Sequence, residues 1–284
     1  MPIVTSNGND LYYERRGDGP RLLFILGSSS TIEGSRLLLD LFVPHFDLLV
    51  HDHRGLGRSG PVLDSYEMAS CAADALAVMD AVGWESARVL GLSFGGMVAQ
   101  ELAVTRPERV ERLVLEDSIG MEDYRRVVQP PPFEALYAQE LALDAAGIRR
   151  IFSNYLAQPS RIDVFARAID IELGVLQSAE YPARARVSAL AYRMIYEEPV
   201  CYEYDLIAAP SLVVAGSADR TAPLATFAEP AARENLGHMV TLGQRTARAL
   251  QNGRFVEVSD AGHVPHLERP EAFHPALFGF LEQT

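Results

Sequence analysis

Short apolar runs alternate with longer amphipathic segments between residues 21 and 116. Residues 22–26 and 46–50 are almost continuously apolar, and they predict two buried strands that are neighbours in a sheet. Residues 88–92 and 110–116 predict two further strands of the same kind. Strands of this kind are covered on both faces, so the alternation predicts an α/β fold with a parallel sheet between layers of helices.

Two of the intervening segments have helical spacing. The first carries apolar residues on one face from 68 to 82, with Ser65 as its N-cap and Gly83 as the residue that ends the helix. The second is predicted from residue 97 to residue 106, and it ends before Pro107 because proline cannot continue a helix.

The pattern changes between residues 120 and 205, where strand-like runs disappear and helical spacing dominates. The buried-strand pattern returns at 210–216 and 254–258, and a last helix is predicted from about 270 to 281. Since no long linker separates these parts, we predict a helical insertion into one sheet rather than two independent domains.

Composition and charge exclude several classes of function. The chain has 284 residues, 48% of them hydrophobic, which is enough to form a core without disulfides or metals. Asp and Glu outnumber Lys and Arg by 38 to 25, and the net charge of −13 disfavours binding to nucleic acid or anionic lipid. All 25 cations are arginine, which excludes Schiff-base, PLP-anchoring and P-loop lysine chemistry.

Cysteine usage and the N-terminal sequence predict the compartment. Cys71 and Cys201 form no C-x-x-C pair, which is typical of a reducing compartment without a disulfide framework or a thiolate zinc site. The first five residues do not resemble the basic and apolar regions of a signal peptide, and no apolar run approaches the ~18–20 residues of a membrane span. We therefore expect a cytoplasmic protein with no membrane partner.

Residues 91–95, Gly-Leu-Ser-Phe-Gly, match G-x-S-x-G between a predicted strand and a predicted helix. A serine in that sharp turn is crowded by its neighbours, so the positions two before and two after it must be small. The turn lifts the hydroxyl of Ser93 above the carboxyl edge of the sheet, and the backbone amide of Phe94 points at developing negative charge. A glycine-rich packing turn without chemistry is the other interpretation.

A serine hydroxyl is a poor nucleophile near neutral pH, so it needs a base, and the base needs an orienting acid. Asp219 and His263 each follow one of the two later predicted strands, which gives the chain order Ser93, Asp219, His263. Two alternatives stay open for the acid. Asp219 can be a turn-forming residue only, or Asp117, which also follows a strand end, can take its place.

Several histidines raise the question of a metal site. His51 and His53 flank Asp52, and His266 lies three residues past His263. Neither H-E-x-x-H nor thiolate spacing accompanies them, so we predict that no metal is bound.

Four motifs together resemble the α/β-hydrolase superfamily, at residues 91–97, 52–59, 216–219 and 262–270. The resemblance covers nearly the whole chain. It implies a mostly parallel, twisted sheet with helices on both faces and a helical cap. The N-terminal half is similar to the lactonase and esterase branch typified by 3-oxoadipate enol-lactonase.

The resemblance implies that Ser93 is the nucleophile, His263 the base and Asp219 the acid, with no cofactor. It also implies that residues 52–59 form a structural loop whose glycines permit tight turns.

The oxyanion hole is expected to consist of the Phe94 amide and, by resemblance, the amide of Ser28. The family commonly has His-Gly in this loop, whereas this chain has Leu26 and Gly27. The second donor is a backbone group, so it does not depend on the missing side chain. A flexible surface loop at residues 28–30 is the alternative.

The insertion, residues 120–205, is expected to lie over the nucleophile as a cap, with residues 1–119 and 206–284 forming the core. Tyrosine offers apolar area with a polar tip, which suits a small, amphipathic organic substrate, although packing alone also explains any single one. Eight of the 11 tyrosines lie in the insertion: Tyr124, Tyr137, Tyr155, Tyr181, Tyr192, Tyr196, Tyr202 and Tyr204.

These observations predict a serine hydrolase that cleaves a small or medium carboxylic ester or lactone through an acyl-enzyme. The same triad serves carbon–carbon bond hydrolases, thioesterases, prolyl aminopeptidases and methylesterases of secondary metabolism, which remain alternatives. A non-catalytic ligand-binding protein of the same fold is an alternative of another class. The presence of Leu26 where the family commonly has histidine favours that last interpretation. The intact order of Ser93, Asp219 and His263 opposes it.

Overall fold

The computed structural model of the protein describes residues 2–63 and 66–283, and an eight-stranded sheet forms its centre. The strands are Ile3–Ser6 (β1), Asn9–Arg16 (β2), Arg21–Ile25 (β3), Asp47–His51 (β4), Ala87–Leu92 (β5), Val110–Glu116 (β6), Ser211–Gly216 (β7) and Gly253–Val258 (β8). Their order across the sheet is β1-β2-β4-β3-β5-β6-β7-β8. β2 pairs antiparallel with β1 and β4, and the remaining neighbours pair parallel. The predicted α/β fold with a mostly parallel sheet is confirmed.

Helices cover both faces of this sheet. In the described residues the α-helices are Arg36–Phe42 (α1), Met68–Ala81 (α2), Phe94–Thr105 (α3), Phe133–Leu141 (α4), Ala145–Asn154 (α5), Ala166–Leu176 (α6), Tyr181–Glu197 (α7), Pro230–Arg233 (α8), Met239–Ala249 (α9), Pro265–Glu268 (α10) and Pro270–Leu281 (α11). α1 and α11 pack on one face of the sheet, and α2, α3 and α9 pack on the other.

Alternate residues of each central strand enter two separate cores. Leu22 and Phe24 of β3 pack with α1 and α11, whereas Leu23 and Ile25 pack with α2, α3 and α9. All four side chains are fully buried. Successive side chains of a strand point to opposite faces, so a strand buried on both faces reads as a continuous apolar run.

The first two strands were not among the predicted elements. β1 and β2 form a hairpin whose turn residues are Asn7 (φ 47°) and Gly8 (φ 80°). Two positive φ angles are what a two-residue hairpin turn needs, and Asn-Gly is its strongest sequence signal. The signal was therefore present in the sequence, although the short flanking runs are only half-buried and alternate weakly.

The predicted helix boundaries agree with the structure to within a few residues. α2 begins at Met68, and Gly83 follows it with a φ of 70°. The predicted N-cap, Ser65, lies outside the described residues. α3 begins at Phe94 rather than at residue 97, because the turn at Ser93 leads directly into the helix.

The segment between β6 and β7 contains α4 to α7 and contributes no strand to the sheet in its described residues. α4 packs against α7, and α5 packs against α6. This is the helical insertion that the sequence predicts. Across residues 2–63 and 66–283, none of the helices has the length and apolar character needed to cross a membrane.

Candidate active site

Ser93 lies in the turn between β5 and α3, with backbone angles φ 56° and ψ −119°. A positive φ is uncommon for a residue other than glycine, and backbone strain of this kind commonly marks a functional site. A Cβ atom on Gly91 would lie 2.3 Å from the carbonyl oxygen of Gly95, and one on Gly95 would lie 2.1 Å from that of Ile25. Both glycines are therefore required by the tight approach of neighbouring backbone.

His263 and Asp219 meet at the carboxyl edge of the sheet, in the loops that follow β8 and β7. Nδ1 of His263 is hydrogen-bonded to Oδ2 of Asp219 at 2.7 Å. A carboxylate only accepts, so Nδ1 carries the proton and Nε2 is left as the basic nitrogen. The backbone amide of His263 donates to the carbonyl of Tyr155 (2.7 Å), which ties this loop to the helical insertion.

The environment of Asp219 favours its charged form. Its Oδ1 accepts from both the backbone amide (2.8 Å) and the hydroxyl (2.7 Å) of Thr221. Burial opposes ionisation, but the imidazole of His263 and the hydrogen bonds to the carboxylate outweigh it, and the pKa of Asp219 falls to about 2. Asp219 therefore carries a negative charge beside the imidazole throughout the neutral range.

Asp117, the competing candidate for the acid, lies close to the same pair. It follows β6 with a φ of 40°, it is fully buried, and its Oδ1 accepts from the amide of Gly216 at 3.0 Å. One ligand-type atom each from Asp117, Asp219 and His263 lies within 4.8 Å of the others. The hydrogen bond between His263 and Asp219 already uses two such atoms, so the cluster fits a shared proton better than a cation.

Two of the histidines considered as metal ligands, His53 and His266, have other hydrogen-bond partners. Nε2 of His53 is hydrogen-bonded to the carbonyl of Leu26 (2.9 Å), and His266 is hydrogen-bonded through Nδ1 to the carboxylate of Glu116. His51 is completely buried, and burial lowers the pKa of this imidazole to about 3. Burial also lowers the pKa of His53, so both imidazoles are neutral at pH 7.

Asp52 and the arginine that follows it two residues later each have internal partners. Asp52 accepts from the backbone amides of Ile32 (2.7 Å) and Arg58 (2.9 Å). The fully buried Arg54 donates two hydrogen bonds, both of 2.7 Å, to Asp74 of α2. These contacts agree with the structural role that the resemblance implied for this loop.

The predicted oxyanion loop follows β3 and lies beside Ser93. A Cβ atom on Gly27 would be 3.7 Å from the Cβ of Ser93, and Ser28 lines the same cavity as Ser93. The hydrogen bond from Nε2 of His53 holds the carbonyl of Leu26 at the start of this loop. The sequence reasoning missed this anchor, because no local pattern connects residue 53 with residue 26.

A cavity of about 160 Å³ lies between the sheet edge and the helical insertion. Ser93, Ser28 and His263 line it from the core, and α5, α6 and α7 supply most of the opposite wall. Three of the eight tyrosines of the insertion contribute to this wall: Tyr155, Tyr181 and Tyr192. Others of the eight are used in packing, such as Tyr196, whose hydroxyl donates to a backbone carbonyl at 3.2 Å.

Glu268 connects the His263 loop to the insertion, and the sequence reasoning assigned it no role. Its carboxylate accepts from the amides of Gly262 (2.6 Å), Ala157 (3.2 Å) and Gln158 (3.3 Å). It is 3% exposed, so no solvent replaces these contacts. The motif at residues 262–270 contained this glutamate and Gly262, but its two partners in the insertion, Ala157 and Gln158, lie more than 100 residues away in the chain.

We expect Glu268→Ala to destabilise the protein by about 3 kcal/mol, because three amide donors lose their acceptor. The measurement is the free energy of unfolding from urea denaturation. Glu271→Ala is the matched control, since Glu271 is exposed and forms a surface ion pair with Arg269, and it should cost less than about 0.5 kcal/mol. Equal losses for the two variants would contradict the structural role of Glu268.

Comparison with known proteins identifies relatives over nearly the whole chain. A family model described as alpha/beta hydrolase fold matches residues 24–270. Polyketide synthase ThaQ of Burkholderia thailandensis is 30% identical, over 95% of this chain and 12% of that protein, so the chain spans a small part of this relative.

Two solved structures show the same architecture. A probable hydrolytic enzyme from Pseudomonas aeruginosa PAO1 is 29% identical with a TM-score of 0.91, and the match covers 99% of this chain and 93% of that chain. The enol-lactonase from Burkholderia xenovorans LB400 is 22% identical with a TM-score of 0.76, over 99% of this chain and all of that chain, and it shares the fold.

Proposed function

The chain belongs to the α/β-hydrolase fold family, and from this premise we propose that it is a serine hydrolase of small or medium carboxylic esters or lactones. The observation that carries the proposal is the hydrogen bond between His263 and Asp219 at the wall of a cavity that Ser93 also lines. The helical insertion, residues 120–205, acts as the cap, and residues 1–119 and 206–284 act as the core.

Ester cleavage would proceed in two half-reactions. Nε2 of His263 accepts the hydroxyl proton of Ser93 while Oγ attacks the carbonyl carbon, and Asp219 stabilises the imidazolium. The tetrahedral intermediate collapses, the leaving alkoxide takes the proton from His263, and an acyl-enzyme remains. A water molecule then gives a proton to His263 and attacks the acyl carbon. The bond between the acyl carbon and Oγ breaks, His263 returns its proton to Oγ of Ser93, and the acid is released.

The negative charge that develops on the carbonyl oxygen requires hydrogen-bond donors. We assign this function to the amide of Phe94, at the first residue of α3, and to the amide of Ser28. The contact between His53 and Leu26 supports this assignment, because it anchors the Ser28 loop without the histidine common in the family. It also weakens the case for a non-catalytic binding protein, which depended on Leu26.

The cavity wall supports a neutral, largely apolar acyl group. Arg184 lies in the wall but is paired with Glu172 at 3.3 Å and donates to the hydroxyl of Ser188 at 2.5 Å. Burial raises the pKa of Glu140, the other acidic residue of the wall, and favours its neutral form. A charged substrate would find no unpaired counter-ion among these groups, whereas an apolar one finds aliphatic and aromatic side chains.

Hydrolysis of p-nitrophenyl esters from acetyl to octanoyl, together with alkyl lactones, tests the proposal. We expect turnover of neutral esters and little turnover of esters whose acyl chain ends in a carboxylate. No hydrolysis of any ester or lactone above the buffer rate would contradict the proposal. Faster cleavage of thioesters or of carbon–carbon bonds would support the triad chemistry and reject esters and lactones as the substrate class.

We expect Ala185→Leu to shift the substrate preference towards short acyl chains. Ala185 of α7 lines the cavity and is 2% exposed, so a larger side chain reduces the space for substrate. The kcat/KM ratio of hexanoyl to acetyl ester should fall about tenfold or more. Ala183→Leu, an exposed position on the same helix, is the control. An equal loss for both esters would place the acyl chain elsewhere.

A further inference from the structure

Asp117 is a buried carboxyl group that the mechanism above does not use. The loop after β6 places it beside the loop after β7, which carries Asp219. The positive φ of Asp117 is unusual for any residue other than glycine, although Asp and Asn tolerate it better than most. The backbone amide of Asp117 donates to the carbonyl of Val214 (2.9 Å), which fixes this conformation.

The two oxygens of Asp117 differ in their partners. Oδ1 accepts from the amide of Gly216. Oδ2 is buried, and no N–H or O–H group of the described residues donates to it. A carboxylate oxygen of Asp117 lies within 4.8 Å of one of Asp219. Two carboxyl groups can form a hydrogen bond with each other only when one of them carries a proton.

The surroundings decide which carboxyl group is protonated. Two carboxylates in contact inside a protein do not both ionise. Asp219 has an imidazole and two donors from Thr221, all of which stabilise a negative charge. The charged or titratable groups that face Asp117 are Asp219 and His263 from the neighbouring loops and Glu116 from its own strand, and two of these three are acidic.

We infer that Asp117 holds a proton on Oδ2 and donates it in a hydrogen bond to the carboxylate of Asp219, as a positioning residue for the catalytic acid. The inference rests on the proposed function, because it assigns Asp219 as that acid. Burial and the adjacent charge of Asp219 raise the pKa of Asp117 well above its usual range, which agrees with a neutral group at pH 7.

This arrangement has two consequences for the triad. The proton on Asp117 fixes the plane of the Asp219 carboxylate without adding a second negative charge near His263. If Asp219 loses its charge by substitution, the repulsion from that charge disappears, while Asp117 stays buried. The imidazolium that forms within 4.8 Å during catalysis then favours ionisation of Asp117, which replaces part of the lost electrostatic stabilisation.

Infrared difference spectroscopy tests the proton directly and does not depend on catalysis. The spectrum of the intact protein minus that of Asp117→Asn should contain the carbonyl stretch of a protonated carboxylic acid at pH 7. The same band should be present when Ser93→Ala is the background. Carboxylate bands alone would overturn the inference, whatever the activity of the protein. A protonated-acid band without hydrolase activity would keep the inference about the proton and reject the proposed function.

The pH profile of kcat/KM gives a second test. Asn keeps a donor for Asp219, an acceptor for Gly216 and a tolerated positive φ. We therefore expect Asp117→Asn to retain activity and to leave the midpoint of the acidic limb unchanged. If Asp117 were ionised in the intact protein, its removal would take a negative charge from the surroundings of His263. The midpoint of the acidic limb would then shift by about one unit or more to lower pH. Such a shift would overturn the inference.

A double-mutant cycle tests the dependence of Asp117 on Asp219. In the intact protein Asp117→Asn should change kcat by less than about threefold, whereas in the Asp219→Asn protein it should cost about tenfold or more. A structural role for Asp117 predicts the same factor in both backgrounds. Equal factors would therefore overturn the inference that Asp117 supplies part of the negative charge lost with Asp219. The melting temperatures of all four proteins serve as the folding control.

Discussion

Replacing Ser93 with alanine is expected to lower kcat for ester hydrolysis by about 10⁶-fold. The variant has no hydroxyl to attack the carbonyl carbon, so no acyl-enzyme forms. Residual catalysis of about 10³–10⁴-fold over water can persist, because the oxyanion-hole amides and the cavity remain. A burst of p-nitrophenol in the intact protein, and its loss in the variant, measures acylation directly.

Ser118→Ala is the matched control for this variant. Ser118 is a buried serine that packs against the same turn, since a Cβ atom on Gly96 would lie 2.2 Å from its Oγ. It contributes to the packing of the turn and does not line the cavity, so its loss should change kcat only a few-fold. Equal hydrolysis by the intact protein and Ser93→Ala would reject the serine-hydrolase proposal and favour a non-catalytic protein.

Much of the fold follows from the sequence because parallel strands have a strong signature. Residues 22–26 and 212–215 are apolar throughout, since both faces of the sheet are covered, and the structure places strands at Arg21–Ile25 and Ser211–Gly216. β1 and β2 lie at one edge of the sheet, where one side is exposed and the apolar signal is weaker. Only the Asn7-Gly8 turn marked them.

The sequence likewise predicts one part of the candidate site and leaves another part open. The residues around Ser93 follow from local sterics, which a five-residue motif records. The choice between Asp117 and Asp219 does not follow from local sterics, because the two residues follow adjacent parallel strands and either loop can reach the imidazole. The register of β6 and β7 brings them together, and the hydrogen bond of 2.7 Å to Asp219 distinguishes them.

Contacts between distant segments were invisible in the sequence. Glu268 accepts from amides of the insertion, and His53 is hydrogen-bonded to the carbonyl of Leu26, across separations of more than 100 and of 27 residues, respectively. Neither contact requires a particular residue type at its other end, since backbone groups supply the partners. The pattern of side chains along the sequence therefore does not indicate these contacts.

Replacing Asp219 with asparagine is expected to lower kcat by up to about 10⁴-fold while KM changes little. The amide can donate a hydrogen bond to Nδ1 of His263, which favours the tautomer with its proton on Nε2. That tautomer cannot accept the proton of Ser93. The loss of the negative charge also removes the stabilisation of the imidazolium that forms during attack.

The single variants at 219 and 117 distinguish the two candidate acids. Steady-state kinetics on one p-nitrophenyl ester should show a large loss in kcat for Asp219→Asn and near-normal activity for Asp117→Asn. The opposite ranking would assign the acid to Asp117 and reject the function assigned to the 2.7 Å hydrogen bond. Because Asp117 is expected to ionise once residue 219 is neutral, the loss in the single variant should fall short of 10⁴-fold, and the double variant should approach it. The size of that shortfall measures how much of the electrostatic stabilisation of His263 a second carboxylate can supply from the adjacent strand.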